Sequence, residues 1–176
     1  MKKPLDTYLV SFGGLRSGTH HYDYLIEHPF FAKFEYSPIK EGRVWVNLDV
    51  TKQDTMLLFD FGIKGTVNVP CNRCTENFDF SIQGDNRLIV KIGDESFEES
   101  DEVVALPKWS FEINVAEYIY EFINLLIPFK VVHPLDKKGN SLCNKETLAV
   151  LQKLQQEKLP AHKNDPRWDA LKKVKL

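Results

Sequence analysis

Leu57-Leu58-Phe59-Asp60-Phe61-Gly62-Ile63-Lys64-Gly65-Thr66-Val67-Asn68-Val69-Pro70-Cys71-Asn72-Arg73-Cys74-Thr75-Glu76-Asn77-Phe78-Asp79-Phe80-Ser81-Ile82 is the stretch that decides the fold. Leu57 to Val69 is long enough for a bent strand, with Gly62 and Gly65 as candidate bulges. Phe78, Phe80 and Ile82 resume a period of two after the cysteines. Cys71 and Cys74 therefore sit at a tight connection between two antiparallel strands. Upstream, Val44, Val46, Leu48 and Val50 alternate with Arg43, Trp45, Asn47 and Asp49, which predicts a strand with one buried face. His20, Tyr22, Tyr24 and Ile26 form a further strand. Thr7 to Phe12 forms another, closed by a turn at Gly13-Gly14. Downstream, Leu88, Val90 and Ile92 continue the pattern, and Val103 to Leu106 adds a last strand.

Helical spacing replaces the period of two after this run. Val115, Tyr118, Ile119, Phe122 and Leu126 recur on one helix face. Asn114 and Glu117 have capping-box spacing, and Pro128 ends the helix. Asp136 to Ser141 reads as a polar turn, and Lys145 to Lys158 as a helix with Leu148, Leu151 and Leu154 on its apolar side. Asp165-Pro166 starts a final helix, as N-cap and first helical residue, with Trp168 and Leu171 as its apolar face. The expected fold is α+β: a largely antiparallel, twisted or barrel-like sheet, one helix packed on it, and a helical C-terminal arm. A sheet-rich body spans 1–136 and a basic arm, not an independent domain, spans 137–176.

A chain of 176 residues with 43% hydrophobic residues suits one core. No apolar leader follows Met1-Lys2-Lys3-Pro4, and no stretch approaches a membrane span. With three cysteines, the expected setting is cytoplasmic, with reduced thiols. Net charge is only −2, which argues against a generic nucleic-acid binder. The charge is unevenly placed, however. Residues 137–176 hold ten Lys/Arg and four Asp/Glu, so the remainder is strongly acidic. Residues 94–102 alone form a dense acidic run, either a solvated loop or a docking surface for a basic partner.

Three segments carry a resemblance. They are Val69-Pro70-Cys71-Asn72-Arg73-Cys74; Glu117-Tyr118-Ile119-Tyr120-Glu121-Phe122-Ile123-Asn124-Leu125-Leu126-Ile127-Pro128; and Asp165-Pro166-Arg167-Trp168-Asp169-Ala170-Leu171-Lys172-Lys173. In this order and spacing the chain resembles the YceD family of large ribosomal RNA subunit accumulation proteins. The resemblance implies a bacterial cytoplasmic protein linked to large-subunit ribosomal RNA processing or accumulation, with no established enzyme activity. Many relatives carry further cysteines after the Leu-Pro segment. Here only His133 and Cys143 remain as donors in that region.

Cys71, Cys74, His133 and Cys143 can supply a Cys3His set for one structural zinc, although the second pair lacks knuckle spacing. The alternative is a pair of thiols merely packed at a turn, with no cofactor. A dithiol redox site needs its first cysteine at a helix N-terminus, and strands flank this pair on both sides. No histidine lies in a catalytic motif, and neither a phosphate-binding loop nor a dinucleotide fingerprint is present. RNA or particle contact is expected from Arg73, Lys137, Lys138, Lys163, Arg167, Lys172, Lys173 and Lys175, whose cations would neutralise phosphates. The leading expectation is a non-catalytic ribosome-biogenesis factor. Its partners would be large-subunit ribosomal RNA or a precursor particle, and ribosomal proteins in addition, with no small-molecule substrate. The alternatives are a protein-interaction module for a ribosomal protein or nuclease, and a thiol redox or zinc-dependent enzyme.

Overall fold

Alternating apolar residues build a five-stranded sheet in the computed structural model, which describes residues 5–35, 37–93 and 103–156. A short 3-10 turn at Asp6–Tyr8 leads into β1 (Leu9–Ser11). Then come β2 (Gly18–Ile26), a four-residue helix α1 (His28–Phe31), β3 (Gly42–Lys52), β4 (Met56–Pro70) and β5 (Asn77–Gly93). The chain continues through β6 (Val103–Pro107), β7 (Glu112–Asn114), α2 (Ala116–Leu125) and α3 (Lys145–Gln156). The main sheet runs β2-β3-β4-β5-β6, and β1 pairs with β7 in a separate two-stranded sheet. All neighbours are antiparallel except β5 and β6, which are parallel. The sheet stays open, with β2 and β6 as its edges, and does not close into a barrel.

The chain divides into two units, Met1–Pro70 with Asn77–Val131, and Cys71–Glu76 with Val132–Leu176. In the first, one face of β3 and β4 is buried through Val44, Val46, Leu48, Val50, Leu57, Phe59, Phe61 and Ile63. Ala116, Ile119, Phe122 and Ile123 of α2 belong to the same core, and the Phe122 ring meets Phe61 edge-on at 5.1 Å between centroids. Each fully buried side chain of this size is worth about 1.5–3 kcal/mol, so this packing dominates the unit's stability. A stacked pair, Phe34 on Tyr120 at 3.9 Å, adds to it.

Two local expectations are corrected. Gly62 and Gly65 make no bulge, because the register from Gly42↔Val67 to Lys52↔Leu57 is unbroken. Gly65 is needed for close approach instead: a Cβ there would collide with the carbonyl oxygen of Arg43 and lie 2.6 Å from Val44 Cα. The capping box does not form either. Asn114 Oδ1 accepts the N–H of Ala116 at 2.9 Å, and the cap position itself is Val115, which has no side-chain cap. The short α1 went unpredicted, since four residues with a proline in the first turn show no helical period.

In the second unit, α3 is a 12-residue helix whose apolar positions are only partly covered. Leu148 and Leu151 are half-buried, while Val150 and Leu154 stay exposed. Among the described residues, no helix is long and apolar enough to cross a membrane. The expected final helix from Asp165, with Trp168, and the acidic run at 94–102 lie outside the described residues.

Candidate metal centre

The β4–β5 hairpin register runs to Pro70↔Asn77 and leaves six residues, Cys71–Glu76, to make the turn. The turn closes through two backbone hydrogen bonds. Cys71 N–H donates to Glu76 O, and Thr75 N–H donates to Cys71 O, both at 2.9 Å. Arg73 N–H points at Cys71 Sγ, 3.4 Å away. The chain leaves the turn through Thr75 at φ 65°, the left-handed region that a β-branched residue occupies at a cost. These constraints turn the Cys71 and Cys74 side chains to the same side. Both are buried.

The second donor pair has nine residues between its members, too many for a knuckle, and a small hairpin removes the discrepancy. Leu135 and Ser141 form an antiparallel bridge, and Leu142 N–H donates to Pro134 O at 3.2 Å. Asp136 staples the tip: its Oδ1 accepts the N–H groups of Lys138 at 2.7 Å and Asn140 at 2.8 Å, and its Oδ2 accepts from the Asn140 amide. Gly139 provides the left-handed position, at φ +81°. The hairpin carries residues 135–141 outward and returns His133 and Cys143 to one place. Asn144 follows directly. Its Oδ1 caps α3 by accepting Thr147 N–H at 3.1 Å, and its Nδ2 donates to Glu76 Oε1 at 2.6 Å.

All four predicted donors converge. Cys71 Sγ lies 3.8 Å from Cys143 Sγ, Cys74 Sγ lies 3.3 Å from His133 Nδ1, and the four donor atoms all fall within 4.8 Å of one another. Tetrahedral zinc with sulfur at about 2.3 Å and nitrogen at about 2.0–2.1 Å has donor–donor edges of about 3.8 Å (S–S) and about 3.5 Å (S–N). The thiols are free, not disulfide-bonded. Burial works against ionising Cys71, but the backbone N–H groups of Cys74, Arg73 and His133 and the His133 side chain outweigh it and bring the pKa down to about 6. Cys74 goes the other way: burial and the neighbouring Cys71 and Cys143 thiols raise it, against the N–H groups of Asn144 and Glu76. The cluster is thus already arranged to stabilise a thiolate.

The predicted cationic residues divide. Arg73, Lys137 and Lys138 are exposed in the second unit, the last two at the stapled tip. Lys163, Arg167, Lys172, Lys173 and Lys175 lie outside the described residues. Sequence reasoning marked Asp136 only as the start of a polar turn and did not single out Asn144, Glu76 or Thr75. A sequence signal existed for two of them. Asp136 precedes Lys137-Lys138-Gly139-Asn140, a turn pattern, and Asn144 precedes Lys145-Glu146-Thr147, an N-cap pattern. The other described histidines are engaged elsewhere: His20 with Arg16 O, His21 with Asp49, and His28 with Lys40 O.

The fold is thus an open, mostly antiparallel α+β sheet whose β4–β5 hairpin tip supplies two of the four converging donors. Residues 59–175 match the family model described as large ribosomal RNA subunit accumulation protein YceD, and this chain belongs to that family. No curated protein and no solved structure matches it.

Proposed function

We propose that this chain is a non-catalytic ribosome-biogenesis factor of the bacterial cytoplasm that supports accumulation or processing of large-subunit ribosomal RNA by binding RNA or a precursor particle. Membership of the YceD family carries the reading, because that family is described by accumulation of this RNA. Charge supports it independently. The unit formed by Cys71–Glu76 and Val132–Leu176 holds eleven Lys/Arg against six Asp/Glu, whereas the other holds twelve against nineteen. One unit is therefore cationic and the other anionic. That division suits phosphate contact through Arg73, Lys137 and Lys138, while the anionic unit limits indiscriminate binding. The cysteine pair lies between strands, with neither of its thiols at a helix N-terminus, which disfavours dithiol redox chemistry.

The test uses the full chain with Arg73, Lys137 and Lys138 each changed to Glu, alone and together. Co-sedimentation with large-subunit precursor particles is measured with and without RNase, across a salt series. The reading expects RNase-sensitive association, weakened stepwise by the substitutions, with the log–log salt slope falling by about 0.7–0.9 per lost phosphate contact. RNase-resistant association indifferent to all three substitutions would overturn it in favour of a protein-interaction module.

A further inference from the structure

We infer that Cys71, Cys74, His133 and Cys143 bind one zinc ion in a closed structural site, and that this ion joins the two chain segments of the cationic unit into one folded body. The donor chemistry selects the ion class. Three sulfurs and one imidazole nitrogen are soft to borderline donors that suit zinc and repel calcium or magnesium, which require oxygen. Geometry agrees, since the S–S and S–N separations of 3.8 and 3.3 Å lie close to the edges of a zinc tetrahedron. The three thiols are buried and all four positions are filled by protein, which leaves none for substrate or water. The site is therefore structural and not hydrolytic.

The donors also lie in a telling order. Cys71 and Cys74 come from one segment of the unit, His133 and Cys143 from the other, with Asn77–Val131 between them. An ion bound there is a cross-link across 55 residues of intervening chain. The surroundings serve that cross-link: Asp136 sets the hairpin that brings His133 to Cys143, and Asn144 follows Cys143 with both the α3 cap and the bond to Glu76. A pair of thiols packed at a turn requires none of this. A single disulfide would use two of the three buried sulfurs and leave the third outside the bond.

The inference stands apart from the ribosomal reading, because its test contains no RNA. Untagged full-length protein is purified under reductant, and its metal content and X-ray absorption are measured. Cobalt(II) is titrated into metal-stripped protein in parallel. A single zinc per chain with three sulfur neighbours and one nitrogen neighbour is expected, along with the visible bands of tetrahedral cobalt–thiolate. Cys143→Ser and His133→Ala should each lose them. Amide exchange of metal-stripped wild-type protein, which needs no variant, should show α3 opened and β3 and β4 still protected. Wild-type protein that retains no zinc after loading and dialysis, or a coordination shell of oxygen, would overturn the site. Unchanged α3 protection after stripping would overturn its joining role.

Discussion

Asn144→Ala tests whether one side chain couples the cysteine turn to the helix that follows the centre. Asn144 does two jobs at once, capping Thr147 N–H through Oδ1 and holding Glu76 Oε1 through Nδ2. Loss of an N-cap costs about 1 kcal/mol. The solvent-exposed bond to Glu76 is worth about 0.5 kcal/mol after screening. Asn144→Ala should therefore destabilise α3 by about 1.5 kcal/mol, which speeds amide exchange in its first turn by about 13-fold. Glu76→Ala removes only the tie and should cost about 0.5 kcal/mol, a roughly twofold change. The double variant should match Asn144→Ala alone, because the tie is lost only once, giving a coupling of about 0.5 kcal/mol. Asn144→Asp keeps the cap but sets a carboxylate against Glu76, so it should fall between wild type and Asn144→Ala. Native-state hydrogen exchange followed by NMR reads all four proteins. Additive costs for the two alanine variants, or first-turn amides indifferent to Asn144→Ala, would refute the reasoning.

Gly65→Ala drives a methyl group into the Arg43 carbonyl oxygen and should cost about 3 kcal/mol in urea unfolding, whereas Gly14→Ala, with nothing within 4 Å, should stay within about 0.5 kcal/mol. Thr75→Gly relieves about 1–2 kcal/mol of left-handed strain and gives back about 0.5–1 kcal/mol of chain entropy, so exchange at the turn should slow slightly; faster exchange would contradict the strain at φ 65°. The Asp136 carboxyl is held below its usual range chiefly by the Asn140 backbone N–H and then by the Asn140 side chain. A depressed pKa contributes stability that is full above the ordinary Asp value of about 3.9 and disappears as pH falls through the folded value. The amides of Lys138 and Asn140 should thus lose protection in acid, and Asp136→Ser should abolish that pH dependence. Stripping the inferred zinc should cost the far-UV helical signal of α3, which is 12 of the 26 α-helical residues described, and adding zinc back should restore it; an unchanged spectrum would mean that α3 stands without an ion.

The sheet was readable because period-two burial leaves a plain mark: Val44, Val46, Leu48 and Val50 are all buried, while Arg43, Trp45 and Asn47 are exposed. The hairpin around Cys71 and Cys74 followed from the same signal. The parallel pairing of β6 was not readable, since Val103 to Leu106 has the same composition whichever way its neighbour runs. Gly65 was misread because a glycine in a strand marks either a bulge or a close approach, and only the register separates them. The four side chains that converge were each legible as donor types, yet their geometry was hidden by the nine residues between His133 and Cys143. Those residues form a closed loop of their own, so spacing along the chain says little about distance in space. The key to that loop was the hydrogen-bonding capacity of Asp136, a property of the turn and not of the ligands.

Energetics decide what holds α3 in place. An isolated helix of 12 residues is marginal in water. Val150 and Leu154 remain 54% and 57% exposed, so apolar burial offers it little. Polar contacts that join its segment to the cysteine turn include Asn144 with Glu76, Cys71 with Cys143, Cys74 with His133, and the backbone N–H groups of His133 and Asn144 with the Cys71 and Cys74 sulfurs. At about 0.5–1 kcal/mol each these contacts are worth about 2.5–5 kcal/mol together. A zinc ion at the inferred site would add about 10–16 kcal/mol at neutral pH, more than that sum. The contribution of the inferred ion would exceed both the Asn144 cap and tie and the half-buried Leu148 and Leu151. A change at Leu154 should therefore be tolerated where a change at Cys143 is not.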